Sequence, residues 1–194
     1  MKLWCATSNR GKLREFQAAA AAAEIEVEGL PDFRGIPECI ESGATFRENA
    51  ILKARHYAPY VPGPVFADDS GLAVDALGGA PGVYSARFAG PGATDEANNR
   101  LLLERLRGVE DRRARFVCII ALVEGDELQS TFEGAVEGRM LEAPRGSGGF
   151  GYDPLFFFPP FGCTFGEAGE ERKLAVSHRG QAFRKLLTHL RGRA

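Results

Sequence analysis

Cysteine and histidine are scarce in this sequence, and neither is arranged as a set of metal ligands. The four cysteines (Cys5, Cys39, Cys118 and Cys163) form no CxxC pair, and the three histidines lack the spacing of zinc sites. These absences argue against a structural metal and favour a reduced, cytoplasmic protein.

Long hydrophobic runs are also missing, and we expect no leader segment. No apolar run approaches the roughly 20 residues that a membrane-spanning helix needs. A polar stretch at residues 8–12 follows the start so soon that it leaves no room for the apolar part of a signal peptide. We therefore expect no association with a membrane.

Charge of one sign is not in excess either. The 194 residues include 24 Lys and Arg against 26 Asp and Glu, which gives a net charge of −2. This balance provides no bulk attraction to nucleic acid, so any phosphate binding must come from a few placed cations. The length suits one domain with a core, and neither a repeat nor a linker interrupts it. We predict a single domain over residues 1–194.

The order of the predicted elements is that of an α/β protein with a mixed sheet. Thr45 and Glu48 have capping-box spacing at the start of one helix. Residues 77–94, rich in glycine and proline, are predicted to be an irregular loop. The patterns predict strands over 2–7, 25–30, 65–69, 114–124 and 128–140, and helices over 13–24, 44–58, 94–108 and 177–192.

The polar segment ATSNRGK, residues 6–12, connects the first predicted strand to the first helix. Such a helix start offers backbone N–H groups and a positive dipole end to an anion, and Lys12 adds a formal charge. An ordinary N-cap by Ser8 or Asn9 would explain the same residues. The segment is not a Walker loop, because the required spacing is absent and Leu13 follows the lysine.

Two adjacent acids, Asp68 and Asp69, stand where the predicted strand 65–69 ends. Neighbouring side chains of a strand point to opposite faces, so both acids reach one site only if the chain turns there. Two unpaired carboxylates repel each other, whereas a divalent cation such as Mg²⁺ would hold them. Glu41 would be a second ligand from elsewhere in the chain. The alternative is an Asp-Ser-Gly turn with local side-chain hydrogen bonds.

The glycine-rich segment GSGGFGYD, residues 146–153, permits close approach of the backbone to a ligand. Phe150 and Tyr152 would stack on a base, and Asp153 would accept a hydrogen bond from a ring N–H. Alternatively, the two aromatic rings fill a neighbouring core.

The segment KLAVSHRG, residues 173–180, brings three donors together: Lys173, His178 and Arg179. The alternative is a solvated, basic start of the last helix. A Ser177–His178 nucleophile pair is discounted, because adjacent side chains seldom face each other and the GxSxG motif is absent.

Together these segments supply an anion cradle, a carboxylate metal site, an aromatic loop and a cationic clamp. This combination of features is typical of a nucleotide hydrolase. Five stretches of the sequence, in the same order, resemble the Ham1/RdgB-type inosine/xanthosine triphosphate pyrophosphatases: ATSNRGK, FRENAILKAR, FADDSGLAVDALGGAPGVYSARFAG, GGFGYDPLFF and SHRGQA. The likeness runs from about Cys5 to the last helix, and its most specific part begins at DDSG.

The resemblance implies both a fold and an activity. The fold is α/β, with an elongated central mixed β-sheet flanked by helices and two lobes around a cleft. The activity is Mg²⁺-dependent hydrolysis of the non-canonical purine nucleoside triphosphates ITP, dITP and XTP to the monophosphate and pyrophosphate. A homodimer is implied as well. The alternatives are a Maf-like pyrophosphatase for other modified nucleotides and a nucleotide sensor without catalysis.

The resemblance also assigns roles to individual residues. Asp69 is the expected catalytic acceptor and metal ligand, with Glu41 as its metal partner and Asp68 as a second cleft acid. Arg172 departs from the family pattern, which usually has glutamate there. The expected substrate contacts are Thr7, Ser8, Asn9, Arg10, Gly11, Lys12 and Lys53 for the triphosphate, Ser70, and Phe150, Gly151, Tyr152, Asp153, Lys173, Ser177, His178 and Arg179 around the base.

Overall fold

A computed structural model describes residues 1–21 and 23–192 of the protein. Within these ranges the chain forms seven strands in one sheet and five α-helices. No helix in these ranges is both long and apolar enough to cross a bilayer. The strands are β1 (Lys2–Cys5), β2 (Glu26–Gly29), β3 (Val65–Val74), β4 (Arg113–Glu124), β5 (Glu127–Met140), β6 (Phe156–Phe158) and β7 (Cys163–Thr164). The helices are α1 (Arg10–Ala20), α2 (Phe46–Tyr57), α3 (Asp95–Arg105), α4 (Glu170–Val176) and α5 (His178–Arg191).

The sheet is mixed, which confirms the predicted fold class. Its strand order is β2-β1-β3-β4-β5-β6-β7. Strand β1 runs parallel to β2 and β3, with Cys5 opposite Phe66 in the second pair. Strand β6 runs antiparallel to β5 and to β7. The predicted hairpin is present as β4 and β5, and Gly125 has the positive φ, 60°, that its short turn requires.

The chain divides into two compact units, each built from separate segments. The first unit contains Met1–Asp69, Cys118–Gly134 and the chain from His178 onward, and the second contains Ser70–Val117 and Ala135–Ser177. The prediction of one domain over residues 1–194 stays a prediction, and its residues 22, 193 and 194 lie outside the described ranges.

The core of the first unit is aromatic at its centre. Phe16 of α1 meets Phe66 of β3 edge to face, with ring centroids 5.0 Å apart, and lies 5.2 Å from Phe183 of α5. All three rings are fully buried. Burial of each such side chain stabilises the fold by roughly 1.5–3 kcal/mol, so this contact fixes α1 and α5 on the sheet.

The second unit has its own aromatic core. Phe116 of β4 lies 4.5 Å from Phe156 of β6, whose ring is in turn 5.1 Å from Phe165. Leu72 of β3 and Leu102 of α3 are fully buried in the same cluster. The apolar side of α3 is thereby fixed against the strands of this unit.

Helix α2 begins as the sequence predicts. Thr45 accepts a hydrogen bond from the backbone N–H of Glu48, and the Glu48 carboxylate accepts one from the backbone of Thr45, which completes the capping box. Ala50 and Ala54 are fully buried, so the helix turns its small residues inward. This orientation leaves Lys53 on a different face of the helix.

The start and the end of α1 differ from the prediction. Helix α1 begins at Arg10, so the segment predicted to be a loop through Lys12 is partly helical. Asn9 is the N-cap, and its Oδ1 accepts from the backbone N–H of Lys12 at 3.1 Å. The helix ends at Ala20 in a tightened turn, because the chain must reverse to reach β2. Residue 22 of the predicted helix 13–24 lies outside the described ranges.

Strand β3 is longer than predicted, and the loop after it is more regular. Strand β3 continues through Asp68 and Asp69 to Val74, so the interpretation of this stretch as a turn is wrong. Within residues 77–94 a 3₁₀ helix spans Gly82–Arg87. Ser85 of this helix accepts a hydrogen bond from the N–H of Leu72 at 2.9 Å, which attaches the segment to β3. The segment has no apolar periodicity, so the sequence pattern does not predict this 3₁₀ helix.

Candidate active site

A buried cluster of acids and cations surrounds the middle of β3 in the first unit. Asp68 and Asp69 are only 3% and 6% exposed. Oδ2 of Asp68 lies 2.8 Å from Nζ of Lys12 and 3.9 Å from Nε of Arg179. Oδ1 of Asp69 lies 3.4 Å from Nζ of Lys53. Because the strand alternates its side chains, the two neighbouring acids have different cationic partners.

The two aspartates differ in acidity. Burial by itself would raise the pKa of Asp68, but Lys12, Arg179 and Lys53 outweigh it and hold that pKa at about 2. Burial also raises the pKa of Asp69, and in this case Lys53 and Lys12 only partly oppose the effect. Asp69 is therefore the better proton acceptor of the two at neutral pH.

Lys53 connects Asp69 with Glu41. Its Nζ lies 3.4 Å from Oε1 of Glu41 and 3.4 Å from Oδ1 of Asp69, so both carboxylates border one ammonium group. Burial lowers the pKa of Lys53, but the carboxylates outweigh burial and the net shift is upward. The segment that carries Glu41 is attached to α2 on both sides. The N–H of Gly43 donates to Asn49 at 2.8 Å, and that of Cys39 donates to the Tyr57 hydroxyl at 3.3 Å.

The donors near the carboxyl end are buried, so the alternative interpretation, a solvated helix start, is wrong. Lys173, His178 and Arg179 are 4%, 3% and 4% exposed. Arg179 forms an ion pair with Glu15 of α1 as well as approaching Asp68. The assignment of Arg179 to the base edge stays a prediction. Glu15 was missed, although it lies three residues after Lys12 and so shares a face of α1 with it.

The composition of this cluster suits a divalent cation with oxygen ligands. Its seven ionisable side chains include one more carboxylate than cations: Glu15, Glu41, Asp68 and Asp69 against Lys12, Lys53 and Arg179. Among the described residues no three His, Cys, Asp or Glu side chains come together as a complete metal site. Mg²⁺ typically uses one or two carboxylates and completes its shell with water and phosphate oxygens. Asp69 and Glu41 fit that pattern.

A second polar cluster lies in the second unit, around the glycine-rich segment. Oδ2 of Asp153 accepts from the N–H of Phe150 at 2.9 Å and from Nζ of Lys173 at 2.6 Å. That ammonium lies 5.0 Å from the centre of the Phe150 ring. Gly149 has a φ of +72°, and a Cβ there would stand 2.1 Å from Oδ2 of Asp153. Glycine is therefore required for Asp153 to hold both groups.

Tyr152 belongs to the core of the second unit, as the alternative interpretation of the aromatic segment expects. Its side chain is buried and its hydroxyl donates to the carbonyl of Ser85 at 2.8 Å. Phe150 is only half-buried, so of the two rings it is the one open to a ligand. The predicted contact of Tyr152 with substrate stays a prediction.

The other predicted substrate contacts lie at the start of α1, in β3, at the end of α4 and beside Phe150. Thr7 accepts from the N–H of Asn9 at 3.2 Å, while Ser8 and Arg10 are exposed beside the start of α1, which also contains Gly11. Ser70 follows Asp69 in β3. Ser177 is fully buried at the end of α4, with its N–H bonded to the Lys173 carbonyl. Gly151 lies in the segment next to Phe150.

Known proteins resemble this chain along almost its whole length. A sequence model described as the Ham1 family matches residues 3–189. A dITP/XTP pyrophosphatase from an Exiguobacterium species is 53% identical over 186 residues, which cover 96% of this chain and 95% of that protein. The dITP/XTP pyrophosphatase of Thermus thermophilus is 52% identical over 190 residues, with 96% and 90% covered.

Solved structures show the same similarity. The Ham1 protein of Staphylococcus aureus superimposes with a TM-score of 0.88 at 39% identity, and both chains are fully covered. A HAM1 protein from Coxiella burnetii gives a TM-score of 0.88 at 42% identity, with 99% of each chain covered. Because sequence and fold both match from the first strand to the last helix, this chain belongs to the Ham1 family.

Proposed function

We propose that this protein hydrolyses ITP, dITP and XTP to the nucleoside monophosphate and pyrophosphate. The observation that carries the proposal is the buried Asp69, which shares the ammonium of Lys53 with Glu41. A carboxylate pair of this kind suits a metal-bound triphosphate, whereas mere binding of a nucleotide does not need it. Relatives with about half of their residues identical are dITP/XTP pyrophosphatases, which supports the same substrates.

The triphosphate is assigned to the cluster in the first unit. Lys12 and Lys53 offer positive charge, and the first turn of α1 offers N–H groups and its dipole. Asp69 and Glu41 would hold Mg²⁺, which when bound neutralises and polarises the phosphoryl oxygens. Charge in the transition state is spread over phosphate oxygens, so these cations act mainly by position and electrostatics.

Asp69 is the residue assigned to the attacking water. Burial raises its pKa, which makes it a stronger base than an exposed aspartate. Asp69 orients the water in line with the leaving pyrophosphate and accepts its proton. Lys53, beside it, stabilises the negative charge that develops on the phosphate oxygens.

The purine is assigned to the cluster in the second unit. Phe150 stacks on the ring, and Lys173, held by Asp153, donates to the 6-oxo group of hypoxanthine or xanthine. Adenine presents an amino donor at that position, so two donors would face each other. Mismatches of this kind can discriminate by about 10⁴-fold. GTP shares the 6-oxo group and would have to be rejected at its 2-amino group.

A homodimer and a cytoplasmic location complete the proposal. Free thiols at four cysteines and substrates drawn from the nucleotide pool favour the cytoplasm. Analytical ultracentrifugation tests the dimer, and a monomer at micromolar concentration would contradict it.

A pyrophosphate-release assay tests the activity. The purified protein is given ITP, dITP, XTP, GTP, ATP and modified pyrimidine triphosphates, each with and without Mg²⁺. We expect release from ITP, dITP and XTP only with the metal, and a kcat/KM for ATP lower by orders of magnitude. Preference for modified pyrimidine triphosphates would favour a Maf-like enzyme. Tight ITP binding without pyrophosphate release would favour a sensor.

A further inference from the structure

We infer that Asp95 and Asn99 of α3 are positioning residues that fix Phe150 for purine selection. This inference rests on the proposed function, because it concerns the segment assigned to the base. Neither residue stands in the motifs that first suggested nucleotide hydrolysis. Both act through Gly151, the neighbour of Phe150.

The two side chains hold both polar groups of one backbone residue. Oδ2 of Asp95 accepts from the N–H of Gly151 at 2.6 Å. Nδ2 of Asn99 donates to the carbonyl oxygen of Gly151 at 2.9 Å. Residues four apart lie on the same face of a helix, so α3 presents an acceptor and a donor side by side. The bond to Asp95 is short and charge-assisted, which makes it the stronger of the two.

The segment before Gly151 is irregular and is held by individual contacts, such as the hydrogen bond from the N–H of Gly148 to the carbonyl of Gly166 at 2.9 Å. Residues 143–149 are exposed and lie outside any helix or strand. Gly151 itself has a φ of +62°, a conformation that only glycine adopts at low cost. Tyr152, the next residue, is held by Ser85, and Phe150, the previous one, by Asp153. The contacts of α3 with Gly151 add a support at the residue between these two.

A shift of this segment would move the Phe150 ring relative to Lys173, whose ammonium lies 5.0 Å from the ring centre. Stacking on the ring and donation by the ammonium must both reach one purine. A misplacement of about 1 Å far from the reacting atoms can cost about 10²-fold. Contacts with the base are made in the ground state and in the transition state alike, so their loss raises KM more than it lowers kcat.

Donor and acceptor chemistry provides matched variants. Asp95→Ala removes the acceptor, whereas Asp95→Asn keeps an oxygen that can accept from Gly151. Asn99→Asp replaces the donor with an acceptor that faces a carbonyl oxygen. Glu96→Ala is the control, since it removes the other acid from the first turn of α3 and has no bond to Gly151. Any effect of the helix dipole is therefore shared by Asp95→Ala and Glu96→Ala.

The experiment measures kcat and KM for ITP and ATP, calorimetric ITP binding, and hydrogen exchange at Gly151. In Asp95→Ala we expect the KM and Kd for ITP to rise by about tenfold or more, with kcat changed by much less. The ITP/ATP ratio of kcat/KM should fall, and exchange at Gly151 should accelerate. Asn99→Asp should behave similarly, Asp95→Asn should recover most of the loss, and Glu96→Ala should match the parent.

Other outcomes separate this inference from the proposed function. A parent that hydrolyses ITP while Asp95→Ala keeps its KM and ITP/ATP ratio overturns the inference alone. A fall in kcat with unchanged KM does the same. A parent that binds ITP without hydrolysing it overturns the proposed chemistry, while the Kd series still decides the role of Asp95. A parent that binds no ITP overturns both.

Discussion

Asp68 and Asp69 are adjacent in β3, yet Asp68 contacts Lys12 at 2.8 Å while Asp69 contacts Lys53 at 3.4 Å. Successive side chains of a strand point to opposite faces, so the two neighbouring carboxylates have different surroundings and different acidities. Asp68 is neutralised by several cations and holds its proton only near pH 2. Asp69 has a raised pKa and remains the candidate base.

Asp68 should make the stability of the protein depend on pH in the acid range. Its pKa is about 2 in the fold against an ordinary value of 3.8, so its ionised form stabilises the fold above about pH 4. This contribution, about 2 kcal/mol, should be lost as the pH falls from about 4 to 2. Asp68→Asn should flatten the pH dependence of the free energy of unfolding in that window, as measured by urea unfolding.

Asp111 is the matched control for this measurement. Its pKa is also about 2, mainly because of its hydrogen bond with Arg113, but the pair is exposed. Water and salt screen exposed pairs, so Asp111→Asn should change the same slope much less. In high salt its slope should equal that of the parent. Equal slopes for the two variants would show that burial of Asp68 is not the cause.

Breaking the ion pair of Lys173 with Asp153 should strongly destabilise the protein. Both side chains are buried, and their atoms approach to 2.6 Å. Lys173→Ala leaves a buried carboxylate without its ammonium partner, which typically costs about 3–5 kcal/mol. Adding Asp153→Asn should restore part of this loss. Thermal unfolding of the two single variants and the double variant measures the coupling, and strictly additive losses would contradict it.

Lys173 should also determine the preference for a 6-oxo purine. In the double variant Lys173→Ala/Asp153→Asn, the ITP/ATP ratio of kcat/KM should fall by at least about tenfold. Arg172→Ala is the control, because Arg172 lies over the ring of Phe161, 4.0 Å from its centre, and is exposed. An unchanged ITP/ATP ratio of kcat/KM in a folded double variant would show that Lys173 does not recognise the base.

Glu41 should control the response to Mg²⁺. Glu41→Gln keeps the size of the side chain but removes the charge that a hard cation prefers. We expect turnover to be lost at low Mg²⁺ and partly recovered at much higher concentration. Glu38→Gln, an exposed change in the same segment, should leave the Mg²⁺ titration unaltered. Coincident titrations for parent and Glu41→Gln would exclude Glu41 as a ligand.

Features fixed by local chemistry could be predicted from the sequence. The capping box of Thr45 and Glu48 needs only residues three apart, and it forms as expected. The hairpin around Gly125 likewise follows from a short turn between two apolar segments. The mixed sheet follows from the order of these elements.

Features that depend on distant partners could not be predicted. The sequence suggests that Asp68 and Asp69 end a strand, whereas β3 continues through both acids. The charge of Asp68 is compensated by Lys12, which is 56 residues away, and by Arg179, which is more than 100 residues away. Lys173 and Arg179 look like a solvated helix start until Asp153 and Glu15 are found beside them. Asp95 and Asn99 have helical spacing, but nothing nearby in the sequence indicates their contact with Gly151.

The most direct test of the account is pyrophosphate release from ITP by Asp69→Asn, compared with the parent at saturating Mg²⁺. The variant removes the negative charge and the proton acceptor while keeping the size of the side chain. If Asp69 acts on the attacking water, the variant should be folded and slower by about 10²–10⁴-fold. Turnover of ITP by Asp69→Asn at the parent rate would contradict the assignment.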